Sequence, residues 1–219
     1  MYKRDHGAVA DVPAAGRLSF VADPNEYDVF LLRQRIRPVV NQYEFTLPDG
    51  QPVMFVEQKR FTFKEDIRFY TDDSKSQELM RLKARQRFDP VARYDVTDAA
   101  GATIGQIQKV FGASLLRSTY TLFDASGTET ARVTEQSLAV ALIRRFIGLV
   151  PVIDGFADWL PIPYHFVFLR GEQLLGTHTQ QAFKFRDTYT IDLTGDTGRT
   201  LDRRLVLATA VGLDALQAR

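Results

Sequence analysis

Tyr120-Thr-Leu-Phe-Asp-Ala-Ser-Gly127 shows the pattern that decides the fold of this chain, a short β-prone run that leads into a polar turn. Five further copies of this motif start at Tyr43, Ile67, Tyr94, His165 and Tyr189. Successive starts lie 24, 27, 26, 45 and 24 residues apart. Another strand-like run follows most copies, so the repeated unit predicts a β-hairpin.

The repeats predict twelve strands, with aspartate and glycine supplying the turn geometry between them. The predicted strands cover about residues 28–37, 42–48, 51–60, 66–71, 77–88, 92–98, 102–110, 118–124, 128–136, 164–170, 173–180 and 188–194. The 45-residue interval holds an insertion over residues 137–163. We expect a short helix there, capped by Ser137 and ended by Gly148, followed by a proline-limited loop.

The segment Leu205-Val-Leu-Ala-Thr-Ala-Val-Gly-Leu213 carries no charge on any side. It predicts the middle of a C-terminal helix over residues 201–217, with Asp202 as the N-cap. A helix that is apolar all round must be buried all round, and twelve strands enclose more space than their own side chains fill. We therefore predict an all-β fold with a central helix: a closed antiparallel barrel of about 12 strands around that helix.

Composition describes an ordinary globular chain with few constraints on function. Its 219 residues have a net charge of +1, contain no cysteine, and are 45% hydrophobic. No uninterrupted apolar run reaches the roughly 20 residues of a membrane span, so we expect no transmembrane segment. Residues 1–16 are predicted to be a disordered lead-in, and residues 17–219 a single domain.

Catalytic signatures are missing from the sequence. His6, His165 and His178 lack the spacing of metal ligands, and no cysteine is present to join them. Gly195-Asp-Thr-Gly-Arg199 lacks the lysine of a phosphate-binding loop. We therefore expect no enzyme, no metal site and no cofactor.

Two rows of alternating cations, which we call the basic combs, are the strongest local indication of a binding site. Cations alternate along two predicted strands, and alternation puts the members of each comb on one face of its strand. They are Arg81, Lys83, Arg85 and Arg87, and Arg33, Arg35 and Arg37. These residues are candidates for binding phosphate, of a lipid or of a nucleic acid. The alternative is a solvated outer face paired with acids such as Glu57, Glu65 and Glu78.

Trp159 is a second candidate membrane contact. It lies in the predicted insertion, with Arg144 and Arg145 earlier in the same segment. An interfacial tryptophan beside cations is typical of membrane anchors. The alternative is a loop that packs over one end of the barrel.

The chain resembles the tubby C-terminal-like superfamily, which includes phospholipid scramblases and the LURP-one-related proteins. Tyr27-Asp-Val-Phe-Leu-Leu-Arg-Gln34 and Asn41-Gln-Tyr-Glu44 are similar to the scramblase opening, and Leu201-Asp-Arg-Arg-Leu205 to the start of the family's central helix. The resemblance implies a twelve-stranded barrel around a C-terminal helix, and it implies lipid-headgroup binding. Asp187, Asp192 and Asp196 lie where scramblases are proposed to bind calcium, but their spacing does not reproduce a calcium loop.

The function that we expect is therefore a non-catalytic barrel that binds anionic phospholipid headgroups at a membrane surface. The alternative is a soluble scaffold that binds another protein, and a third option is a small-ligand carrier that uses one end of the barrel. The net charge of +1 provides no global attraction to nucleic acid or to a membrane, so either partner would have to be met by a local patch, and nucleic acid is not the partner that we expect. We expect a cytoplasmic protein that can lie peripherally at the inner face of the membrane.

Overall fold

The structure is a computed structural model that describes residues 22–36, 40–59, 66–85, 92–110, 118–135, 165–181 and 188–217. These residues form twelve strands, one 3₁₀ turn at Pro24–Glu26 and one long helix. The strands are β1 (Val29–Ile36), β2 (Val40–Thr46), β3 (Pro52–Lys59), β4 (Asp66–Tyr70), β5 (Glu78–Ala84), β6 (Arg93–Asp98), β7 (Thr103–Lys109), β8 (Thr119–Asp124), β9 (Glu129–Glu135), β10 (His165–Arg170), β11 (Gln173–Gln180) and β12 (Thr188–Asp192). The helix α1 runs from Arg203 to Gln217.

Each strand pairs antiparallel with its neighbours in the chain, and β1 pairs with β12, which closes the barrel. The predicted fold is confirmed. The clearest boundary difference is β5, which ends at Ala84 rather than at residue 88. Its ladder continues for one hydrogen bond, from the Arg85 N–H to the Arg93 carbonyl at 3.0 Å, before the chain bends.

The two ends of the barrel differ. Five hairpin connections and the link from β12 to α1 lie at one end, which we call the turn end. The glycines Gly50, Gly101, Gly127 and Gly171 have positive φ in four of these connections, as the repeated motif predicts. The strands are joined at the other end, the far end, through residues outside the described ranges. The predicted insertion at 137–163 and the lead-in at 1–16 also lie outside them.

Helix α1 enters at the turn end and fills the barrel. Its side chains from Leu205 to Leu213 are buried, in contact with the inward residues of the strands. At Gly105 on β7, an added Cβ would lie 2.9 Å from Leu205 Cδ2 and 2.4 Å from the Phe123 carbonyl oxygen. The absence of a side chain at this position therefore lets the helix approach the wall.

A buried ion network holds the start of α1. Arg203 is 1% exposed, and its guanidinium contacts Asp196 Oδ2 at 2.5 Å and Asp28 Oδ1 at 2.6 Å. Arg199 contacts the other oxygen of Asp28 at 3.1 Å, and the Arg203 N–H donates to Asn25 Oδ1 at 3.0 Å. We call this network the helix clasp. It connects α1 to the segment that precedes β1. The predicted N-cap is confirmed, since Asp202 Oδ1 accepts from the Arg204 N–H at 2.9 Å.

Candidate functional site

The outer surface of β4 to β6 carries the first basic comb. Leu82 points inward and is 1% exposed, so alternation turns Arg81 and Lys83 outward. Arg85, one residue beyond the strand, is exposed on the same side. We call the outer surface of β4 to β6, with Arg85, the charged face.

Arg81 forms the tightest pair on the charged face. Its Nε lies 2.5 Å from Asp66 Oδ1, and its Nη2 contacts the other carboxylate oxygen, so the pair is bidentate. The hydrogen bond from Arg81 lowers the pKa of Asp66, although partial burial opposes the shift. The same bond raises the pKa of Arg81. Both groups therefore stay charged over the physiological range.

Two other cations on this surface have partners on neighbouring strands. Arg85 Nε lies 2.9 Å from Asp95 Oδ2 on β6. Arg68 on β4 lies 3.3 Å from Glu78 and 3.7 Å from Asp66. Among the described residues, the acids that pair with Arg81 and Arg85 are thus Asp66 and Asp95, and Glu78 pairs with Arg68 on the same surface.

Lys83 is exposed and forms no ion pair with the residues that the structure describes. Its backbone lies opposite Asp66 on one side and Asp95 on the other. Those two carboxylates are already bound to Arg81 and Arg85. Within the described part of the chain, the ammonium group of Lys83 is therefore left without an ion-pair partner.

The second comb lies on β1, four strands away around the barrel. Arg35 contacts Glu44 on β2 at 2.8 Å, and Arg33 is exposed without an ion pair to any described residue. Arg37 and Arg87, the last members of the two combs, lie outside the described residues. So do Trp159, Arg144, Arg145 and Glu65.

The opposite side of the barrel has a different character. The outer surface of β7 to β12, the neutral face, carries mainly uncharged side chains such as Gln108, Thr119, Thr134, Thr177 and Thr190. Thr119 and Thr134 contact each other through their hydroxyl groups at 3.2 Å. Arg132 is a charged exception, 64% exposed, and it pairs with Glu129. Cationic side chains are therefore concentrated on β1 to β6.

The acids considered for calcium serve the local fold. Asp192 Oδ1 accepts from the backbone and the hydroxyl of Thr194 at 2.9 and 2.7 Å. Asp196 accepts from Thr200, from the Leu201 N–H and from Arg203. Burial alone would raise the pKa of Asp196, but these hydrogen bonds together lower it to about 2. Asp187 lies outside the described residues. Within the described residues, no three or more potential metal ligands lie close enough together to hold a metal ion.

Sequence reasoning missed a set of inward polar residues at the far end. Gln34, Glu135 and His178 are 7%, 5% and 3% exposed, on the inner face of β1, β9 and β11. The His178 ring lies between two aromatic rings, 5.0 Å from Tyr189 and 6.4 Å from Phe166 between centroids. A signal was present, because each of these polar residues occupies a position where strand alternation requires an inward side chain.

No helix within the described part of the chain is long and apolar enough to cross a bilayer. The described charged face gathers guanidinium and ammonium groups, which are able to hydrogen-bond to carboxylate and phosphate anions. Arginine pairs can exchange a carboxylate for a phosphate of similar geometry, and Lys83 can act as a point charge beside them.

Comparison with known proteins places the chain in a family. The sequence profile of the LURP-one-related proteins matches residues 52–214, almost three quarters of the chain. No curated protein sequence shows a significant match. The matched region begins at β3 and includes ten of the twelve strands and most of α1. With this match and the twelve-stranded barrel around a C-terminal helix, the chain belongs to the LURP-one-related family of the tubby-like and scramblase superfamily.

Proposed function

We propose that this chain is a non-catalytic barrel that binds anionic phospholipid headgroups at a membrane surface through the charged face. The observation that carries the proposal is the exposed ammonium group of Lys83, which forms no ion pair with a described residue, within a surface where described cations outnumber described carboxylates. Five cations on β4 to β6 and at position 85 face three carboxylates there. The cations are Arg68, Arg81, Lys83, Arg85 and Arg93, and the carboxylates are Asp66, Glu78 and Asp95.

The paired arginines still contribute to such binding. An exposed ion pair contributes only about 0–1 kcal/mol, so a lipid phosphate can compete for the guanidinium group. At longer range, the attraction to an anionic leaflet depends on the net charge of the surface rather than on each pair. Each cation held close to that leaflet contributes about 1 kcal/mol of binding free energy.

The test is sedimentation of the full chain with vesicles of phosphatidylcholine, with and without phosphatidylserine, at low salt. Lys83→Gln should weaken binding to the anionic vesicles about fivefold, since 1.4 kcal/mol corresponds to a factor of ten. Lys83→Gln combined with Arg85→Gln should weaken it about thirtyfold. Stability should barely change in either variant, because exposed charges contribute little to folding.

Arg132→Gln is the matched control, because it removes one exposed positive charge from the neutral face. It should leave binding close to that of the parent chain. Equal losses for Lys83→Gln and Arg132→Gln would show that net charge alone matters and would overturn the role of the charged face. If the parent chain does not bind anionic vesicles, the alternative is favoured, a scaffold whose cations bind an acidic protein surface.

A further inference from the structure

Three cations and one carboxylate lie close together where β4 and β5 pair on the charged face. Arg68 is directly opposite Arg81 across the two strands, and Asp66 is directly opposite Lys83. Side chains paired in this way have Cβ atoms about 5 Å apart, and the next residue on the same face of a strand lies about 7 Å further along it. We call Arg68, Arg81, Lys83 and Asp66 the cation cluster.

Asp66 is the anion of the cation cluster. Arg81 contacts both of its carboxylate oxygens, and Arg68 Nε lies 3.7 Å from Oδ1. The hydrogen bond from Arg81 is the largest of the effects that lower the pKa of Asp66, and the positive charges of Arg68 and Lys83 lower it further. A carboxylate of the chain itself therefore holds the position that an external anion would take among these cations.

The contact with Asp66 uses the part of Arg81 that is suited to a phosphate. The Nε and Nη2 groups form the fork with which arginine binds a carboxylate or a phosphate through two parallel hydrogen bonds, and both groups contact Asp66. The pair is accessible, since Asp66 and Arg81 are 31% and 29% exposed. Because a partly exposed ion pair is weak, an abundant external anion can replace Asp66.

We infer that Asp66 is an autoinhibitory residue, whose carboxylate must be displaced from Arg81 before that arginine can bind a headgroup phosphate. This inference rests on the proposed function and adds its regulation. A single anion in solution gains little by taking the place of Asp66, because one anion replaces another. An anionic bilayer presents many headgroups at once, to Lys83 as well as to Arg81. Asp66 therefore sets the density of anionic lipid above which the barrel binds.

Asp66→Asn opens the cation cluster, since asparagine keeps the shape of the side chain and one acceptor oxygen but not the charge. The probe is inorganic phosphate, compared with sodium chloride at the same ionic strength, and the measurement is the midpoint of thermal unfolding. Phosphate should raise the midpoint of Asp66→Asn by about 2–4 °C more than it raises that of the parent chain.

Two control variants separate an opened site from a change of net charge. Asp73→Asn makes the same change of charge at an exposed residue that forms no ion pair with the described residues, and it should respond to phosphate like the parent. Asp66→Asn combined with Arg81→Gln lacks the arginine fork and should also respond like the parent. An equal effect of phosphate on all four chains would overturn the inference.

Sedimentation with phosphatidylcholine–phosphatidylserine vesicles connects the opened site to the membrane. At a fixed fraction of phosphatidylserine, Asp66→Asn should bind at least about fivefold more tightly than the parent, and Asp73→Asn should gain less. Equal gains for the two variants would overturn the autoinhibitory role while leaving the proposed function intact. If no chain sediments with anionic vesicles, the proposed function fails, and the inferred regulation fails with it.

Discussion

Arg203 joins the start of helix α1 to the barrel through several contacts. It is almost fully buried and contacts carboxylates from two distant parts of the chain, Asp28 and Asp196. Removing the cation would leave Asp196, itself 3% exposed, as a buried carboxylate without a counter-charge. Breaking a buried pair in this way costs about 3–5 kcal/mol.

We expect Arg203→Met to lower the free energy of unfolding by about 3 kcal/mol or more, measured by urea denaturation. Arg204→Met is the matched control, because Arg204 is the next residue and forms a partly exposed pair with Asp202. It should cost less than about 1 kcal/mol. Similar losses for the two variants would contradict the role of the clasp.

The clasp also predicts a dependence of stability on acid pH. The pKa of Asp196 is about 2 in the folded protein, below its ordinary value of 3.8. A carboxyl group whose pKa is lowered on folding stabilises the folded state at pH values above its pKa in the unfolded chain. That contribution is lost as the pH falls from about 4 toward 2. For this residue it corresponds to about 2 kcal/mol.

Asp196→Asn should therefore be less stable than the parent chain at neutral pH, and the difference should narrow as the pH falls from 4 to 2. Denaturation at a series of pH values measures this difference. Asp73→Asn serves as the control, because Asp73 is exposed and forms no ion pair with the described residues. A difference between Asp196→Asn and the parent that stays constant with pH would rule out this contribution.

Helix α1 acts as the core of the barrel, because the strands enclose it and their inward residues pack against it. Val211→Asp should unfold the chain or lower its stability by several kcal/mol, since Val211 is fully buried and a charge there has no counter-charge. Leu174→Asp is the control, because Leu174 is 50% exposed. Deletion of residues 203–219 should yield an insoluble or molten product, and a cooperative transition near the parent midpoint would contradict this account.

Strands β1 and β2 precede the region that the family profile matches, yet they close the barrel. β1 pairs with both β2 and β12, and Asp28 immediately before it belongs to the clasp. A chain that starts at residue 52 would lose these two strands and leave β3 and β12 as open edges. We expect it to aggregate or to lack a cooperative thermal transition, whereas a chain that starts at residue 17, the predicted start of the domain, should unfold like the parent.

The elements of the fold were largely accessible from sequence, and the contacts of the charged face were not. Turn residues and alternation located all twelve strands, and the uncharged segment together with Asp202 located the helix. The partners of Arg81 and Arg85 depend on which residues lie opposite each other across strands, and a one-residue change in register exchanges the faces. The contact between Arg203 and Asp28 joins residues 175 positions apart, so no local sequence pattern predicts it.

The molecule as a unit combines a filled barrel with an uneven distribution of charge among the described residues. Cations collect on β1 to β6, and carboxylates collect at the turn end. This arrangement supports attachment to an anionic surface by charge, with no apolar insertion required of the described residues. Such attachment weakens as salt screens the charges.

Vesicle sedimentation across a series of phosphatidylserine fractions and salt concentrations tests this account most directly. We predict no binding to pure phosphatidylcholine, binding that increases steeply with phosphatidylserine at low salt, and release of the protein as the salt concentration is raised. Binding that is absent at every phosphatidylserine fraction, or that is the same with and without phosphatidylserine and indifferent to salt, would contradict an electrostatic membrane-binding function for this barrel.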